Sequence, residues 1–354
     1  MKVESEPRSI RGRRPLAVAL AAVVGAAACA AALAGIASPG RPQGLLAFHA
    51  DPGGDSGLYV MGADGSGVRL ASPNLAGHPF SRWSPDGTRL LFLSGAYGEG
   101  ALRLLDLGAK RERTVGSDTV RAYDWAPDGR SLVYESRDGT MWLAPASGAA
   151  KPRRLGRGHG PDWSPDGRWI AYFDVSGDPD VFKLPVRGGK PVRLTRHRGA
   201  DFLPQWSPDG RTIAFVSERD GNSELYLVSA DGRTTRRLTR DPAPDEAFQW
   251  APDGARLAYV SYRDGAEPTS IGIGNAEIRT VDLGTGRVAQ LTHNRVWDGD
   301  PAWSPDGRWL AFTRRAGYGE IGVMRADGSE PRFLHGAVKA PFNDCCPSWR
   351  PARR

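Results

Sequence analysis

The pentapeptide Trp-(Ser/Ala)-Pro-Asp-Gly occurs six times in this 354-residue chain, at Trp83, Trp125, Trp163, Trp206, Trp250 and Trp303. A degenerate seventh copy, PSWRPARR, ends the sequence around Trp349. Successive tryptophans lie 42, 38, 43, 44, 53 and 46 residues apart, which is the length of a four-stranded propeller blade and too long for a leucine-rich or ankyrin unit. A period of this kind decides architecture before any local pattern does.

Residues 202–239 show how one unit is built. After the tryptophan, proline presets φ, aspartate caps the local backbone and glycine takes the left-handed conformation, so Ser-Pro-Asp-Gly is a tight turn. Thr212–Ser217 (TIAFVS) and Trp169–Phe173 (WIAYF) alternate β-branched and aromatic residues at period two and read as strands. A Gly/Asp turn (218–223), the run ELYLVS, a second turn (ADG, 230–232) and a short strand ending in RRLT complete a four-stranded meander. One such sheet cannot bury both faces, so the units must stack around an axis, with the tryptophans packed between neighbours and the turn aspartates structural.

The two ends of the chain complement each other. Before Trp83, residues 45–50, 57–65 and 68–71 supply the second, third and fourth strands of a unit that lacks its first, while residues 347–351 look like a first strand with nothing after it. Pairing the two gives an all-β fold: a seven-bladed β-propeller closed by pairing of the C-terminal strand with the N-terminal strands. Closure also hides strand edges that would otherwise recruit other chains.

The WSPDG, DGN-like and ADG-plus-RRLT elements resemble the PD40 repeats of TolB-like (WD40-like) propellers, and the resemblance covers essentially residues 45–351. It implies a propeller working in the periplasm beside envelope proteins. TolB-like proteins carry a separate α/β domain before a six-bladed propeller, and only about 45 residues precede the first strand here, so that domain is expected to be absent.

Residues 1–15 form a basic flank with Arg8, Arg11, Arg13 and Arg14, expected to be cytoplasmic. The uncharged stretch Leu16–Ala37 follows, which as a helix spans roughly 33 Å and crosses a bilayer. Either it is retained as a transmembrane anchor, or it is a signal peptide cut after the Ala32-Leu33-Ala34 site. Residues 38–44 are a linker, and 45–354 the propeller. Both readings export the propeller: membrane-anchored on the extracytoplasmic side, or secreted or periplasmic after cleavage. Of the three cysteines, Cys29 lies in the apolar stretch and Cys345-Cys346 are vicinal, a geometry too strained to suggest a disulfide framework.

The net charge of +7 is partly the N-terminal flank, and export argues against nucleic acid as a partner. Ligand candidates come from position −5 relative to each tryptophan, where the innermost strand begins: His78, Val120, Gly158, Asp201, Asp245, Asp298 and Asp344. With His159, Glu246 and Asp300 nearby in sequence, this predicts an acidic crescent at one mouth of the channel, on the face opposite the WSPDG turns. Such a crescent suits a basic or peptide partner or a hard cation such as Ca²⁺, held by Asp201, Asp245 and Asp298. The alternative role is capping of the inner strand by the same carboxylates.

No G-x-S-x-G, H-E-x-x-H or Walker sequence occurs, and Gly272-x-Gly274 lacks the strand and helix a dinucleotide needs. Prolyl-oligopeptidase relatives carry similar propellers, but their catalytic residues lie on a hydrolase domain this chain has no room for. The expected function is an extracytoplasmic, non-catalytic, monomeric scaffold that binds an envelope protein or peptide and meets the membrane through its N-terminal helix. The alternative is an axial-site, metal-assisted hydrolase or lyase acting on envelope polysaccharide.

Overall fold

A computed structural model of the chain describes residues 40–51, 56–73, 80–94, 100–262, 275–316, 319–334 and 344–352. The basic flank, the apolar stretch 16–37, His78 and the long insertion 263–274 lie outside the described residues. Among the described residues every regular element is a strand, and no helix is long and apolar enough to cross a membrane.

The expected meander is observed. Asp201–Trp206, Thr212–Ser217, Glu224–Ser229 and Thr235–Arg237 pair in that order into one antiparallel sheet. The same plan builds sheets from His159–Trp163 to Val192–Arg193, from Asp245–Trp250 to Val288–Gln290 and from Trp297–Trp303 to Arg332–Phe333. Residues 82–157 form a single seven-stranded sheet, because the 15-residue strand Arg111–Trp125 pairs on both sides. The remaining sheet joins the two ends of the chain: Cys345–Trp349 lies beside Leu45–Ala50, with Leu46 opposite Trp349 and Ala47 opposite Ser348. Together these make an all-β, propeller-like fold.

Turn chemistry explains why the strands reverse where they do. In the turn after Trp206, the Ser207 hydroxyl donates to Asp209 Oδ1 (2.6 Å), which also accepts from the Arg211 amide (3.0 Å), and Ser207 Oγ accepts from the Thr212 amide (3.0 Å). Gly210 sits at φ +68°, a conformation that favours glycine. The third and fourth strands are pinned by a Leu-Thr pair. Thr195 and Thr239 each accept the amide of the residue after an acidic side chain, Val181 and Leu225, at 2.9 Å, and donate to that acid, Asp180 at 3.1 Å and Glu224 at 2.5 Å.

Five of the repeated tryptophans bond back to the strand that ends in the preceding tryptophan. Trp125 Nε1 donates to the Arg82 carbonyl (3.2 Å), Trp250 to Gln205 (3.3 Å), Trp303 to Gln249 (3.3 Å), Trp349 to Ala302 (2.8 Å) and Trp83 to Ser348 (3.1 Å). The last two bonds carry the series across the junction of the chain termini. Cations from the preceding unit cover several of these rings: Arg89 over Trp125, Arg256 over Trp303 and Arg350 over Trp83. The tryptophans are therefore packing residues, as expected from their number and spacing.

Candidate functional site

The strands that end in a repeated tryptophan lie at one edge of their sheets, apart from Arg111–Trp125 in the middle of the seven-stranded one, and five of them break register three residues before that tryptophan. Pairing slips between His159 and Asp162, Phe202 and Gln205, Glu246 and Gln249, and Gly299 and Ala302, and on the partner of the C-terminal strand between Ala47 and His49. At the slip stand Gly160, Leu203, Ala247, Asp300 and Cys346, with φ of 56°, 54°, 49°, 50° and 60°. A β-bulge of this kind re-aims the side chains at the start of a strand. Four of the five are held left-handed without being glycine, which costs roughly 1 kcal/mol each.

The bulge separates two groups of side chains that a regular alternation would have merged. Asp201, Asp245 and Asp298 precede it and are fully buried. Asp201 accepts from the Ser217 hydroxyl (2.6 Å) and from Arg219 at both oxygens (2.9 and 2.8 Å). Asp298 accepts from Arg314 Nε (2.7 Å) and Nη2 (2.9 Å) and from the Asn294 amide (2.6 Å). Burial pushes the Asp245 carboxyl up to about 7, against the opposing pull of the Ser261 and Thr239 hydroxyls. These carboxylates lie within their own sheets, two of them neutralised there by arginine. Among the described residues no three His, Cys, Asp or Glu side chains come together as a metal-binding group.

Glu246 and Asp300 both influence Tyr262. Burial foremost, then the Glu246 charge and more weakly that of Asp300, push the Tyr262 hydroxyl upward, opposed by a hydrogen bond from Trp297 and by the Arg315 charge. Burial raises Glu246 as well, opposed by a hydrogen bond from Ser223. Arg315 lies 5.0 Å over the Trp297 ring, and its charge reaches Cys346, whose thiol is driven up chiefly by burial and by its neighbour Cys345. Asp344 is pushed up to about 7 by burial, with the Cys345 and Glu320 charges adding to it.

His159 stands apart from that group. Its Nδ1 donates to Glu135 (2.8 Å), whose second oxygen accepts from the Gly160 amide (3.0 Å), and its ring lies 5.4 Å from that of Phe173. Gly139, at φ +77°, leaves room for it: a Cβ there would come within 2.9 Å of the imidazole. Glu246, Asp300 and Arg315 around Tyr262, and His159 with Glu135, thus form two separate polar groups.

A buried polar belt one residue before six of the seven tryptophans escapes a reading based on the −5 position. Asp124 bonds to Arg82 and accepts the Trp125 and Trp163 amides, both at 2.8 Å. Asp162 accepts the Trp206 amide (2.7 Å), and Gln249 the Trp303 amide (2.7 Å). Burial pushes both aspartates above their usual range, and for Asp162 the Asp124 charge adds to it. The signal was available: Arg, Asp, Asp, Gln, Gln and Ser hold this position in six of the seven copies.

A family model described as the TolB beta propeller domain matches residues 158–271. The repeats are of the TolB propeller type. A putative TolB from Agrobacterium tumefaciens superposes with a TM-score of 0.55 at 24% identity, over 75% of this chain and 96% of that one. TolB from Acinetobacter baumannii gives 0.55 at 19% identity, over 84% and 79%. An oligogalacturonate lyase in complex with manganese gives 0.58 at 16% identity, over 82% and 85%. At these identities the likeness is one of fold.

Proposed function

We propose that this chain is an extracytoplasmic, non-catalytic propeller scaffold whose mouth binds an envelope protein or peptide. The strand Arg111–Trp125 is read as the outer strand of one blade and the inner strand of the next, which makes the ring seven-bladed. Residues 16–37 export the propeller and either anchor it or are removed. The supporting observation is the pairing of Asp201 with Arg219 and of Asp298 with Arg314. Charges satisfied within a rigid sheet hold a fixed surface in place and leave the partner to be recognised by Glu246, Asp300, Arg315 and the aromatic groups around them.

A second reading, an axial-site metal-assisted hydrolase or lyase on envelope polysaccharide, is favoured by one observation. His159 is held at the mouth by the buried Glu135, and its imidazole remains part-exposed at 17%. An oriented imidazole of this kind suits proton transfer.

Photo-crosslinkers placed at Leu203 and Glu218, beside the mouth, and at Arg211 and Arg233, on the turn face, separate these readings in intact cells. The scaffold reading expects a discrete protein adduct from the mouth positions and none from the turn positions. Equal labelling of both faces overturns it. Polysaccharide cleavage abolished by His159→Gln establishes the second reading instead.

A further inference from the structure

The antiparallel meander sends the WSPDG turns and the turns between third and fourth strands to one face, opposite the mouth. We infer that this turn face is a docking surface for an anionic phospholipid bilayer. The inference goes beyond the partner-binding role of the mouth and uses none of its residues.

Charge is the first ground. In the WSPDG turns the arginines are locally balanced: Arg168 and Arg211 each lie 3.9 Å from the turn aspartate two residues before them. The third-to-fourth turns of two consecutive units are not balanced. Lys151, Arg153, Arg187 and Lys190 are all exposed, and the stretches 146–153 and 186–192 contain no carboxylate at all. The result is a cationic arc spanning two neighbouring units of the wheel. The candidate carboxylates of the mouth, Asp201, Asp245 and Asp298, belong to other strands, at their opposite ends. An arc of lysine and arginine at a surface is attracted to acidic headgroups over about one Debye length, roughly 8 Å at physiological salt.

The path of the chain is the second ground. Strand Leu45–Ala50 begins on the turn face, where the Gly44 carbonyl accepts the Ala63 amide (3.0 Å). Just before it, Gly40, Arg41 and Gln43 line a groove of about 450 Å³ with the turns Asp306–Arg308 and Arg325–Asp327. The chain therefore enters the propeller on the turn face at Gly40. A tether there presents the basic arc to the bilayer and turns the mouth away from it.

The test uses the full chain incorporated into vesicles of phosphatidylcholine alone, or with about 30% phosphatidylglycerol. A fluorophore is attached at Ser147→Cys on the turn face or at Ser176→Cys on the mouth face, and a nitroxide on the lipid headgroups acts as quencher. Quenching at position 147 should rise when phosphatidylglycerol is present and return to the neutral-vesicle level in about 0.5 M salt. It should also be lost in the exposed triple variant Lys151→Glu, Arg187→Glu, Lys190→Glu, whose fold is checked by its melting temperature. Position 176 should stay unquenched throughout. Quenching at 147 that ignores lipid charge, survives the triple reversal, or is exceeded at 176 overturns the inference. None of these results bears on crosslinking at the mouth, so the two proposals fail separately.

Discussion

Arg219 closes on Asp201 with a hydrogen bond to each carboxylate oxygen, 2.9 Å to Oδ1 and 2.8 Å to Oδ2. The same fork recurs between Arg314 and Asp298. A buried carboxylate and a half-buried guanidinium that satisfy each other in this way hold the start of one strand to the end of the second strand. Removing one partner alone leaves the other uncompensated. Asp201→Ala is expected to destabilise the protein by about 3 kcal/mol in urea unfolding, and the double variant Asp201→Ala, Arg219→Ala to regain part of that loss. A cost below about 1 kcal/mol for the single variant would place the pair among ordinary surface bridges.

Asp245 gives stability a pH dependence of definite sign. Its folded carboxyl titrates at about 7 against about 3.9 unfolded, so the folded state holds the extra proton between those values. Its contribution is fully present at acid pH and is lost as pH rises towards and through 7. Asp245→Asn should remove that decline, making the variant more stable than wild type at pH 8 by up to about 4 kcal/mol. Unfolding free energies at pH 5 and pH 8 for both proteins check this; parallel profiles would count against it.

Ala247 is left-handed at φ 49°, at the site where another inner strand has Gly160 at 56°. Ala247→Gly is therefore expected to stabilise by up to about 1 kcal/mol, against the usual direction for alanine-to-glycine changes. Thermal unfolding reports it as a small rise in melting temperature. A fall of the same size means that the methyl group's contacts with Val260 and Trp297 outweigh the backbone strain.

Trp349 is buried at the junction of the chain ends, pairs with Leu46 and donates to the Ala302 carbonyl. Trp349→Ala should cost about 3–5 kcal/mol. Deleting residues 345–354 exposes the Leu45–Ala50 edge and should yield protein that aggregates on release from denaturant. A monomeric, soluble truncation would show that the closing strand is dispensable.

The architecture was readable because proline, aspartate and glycine have positional meaning in turns, and the turns recur with the tryptophans. The strand ends around Thr212 and Ser217 follow directly from that, as does the pairing of head and tail. The mouth was less readable. Counting back five residues assumes unbroken alternation along the inner strand, and the bulge interrupts it. Glycine, leucine, alanine, aspartate and cysteine all occupy the left-handed position, so residue type gives no warning. Asp201 and Asp298 consequently lie within their sheets beside arginines supplied by the second strand and its turn. The Leu-Thr pairs at 194–195, 238–239 and 291–292 were visible as strand ends. Their capping role needed the acids at 180, 224 and 277, fifteen positions earlier in sequence.

The union of Leu46 with Trp349 also sets a schedule for biogenesis. A chain emerging from its N-terminal end must keep the Leu45–Ala50 edge waiting while some three hundred residues follow, since its partner is the strand Cys345–Trp349. Intermediate sheets can assemble along the way. The final cooperative step waits for the Cys345–Trp349 strand, which makes protection of that waiting edge part of how this protein folds.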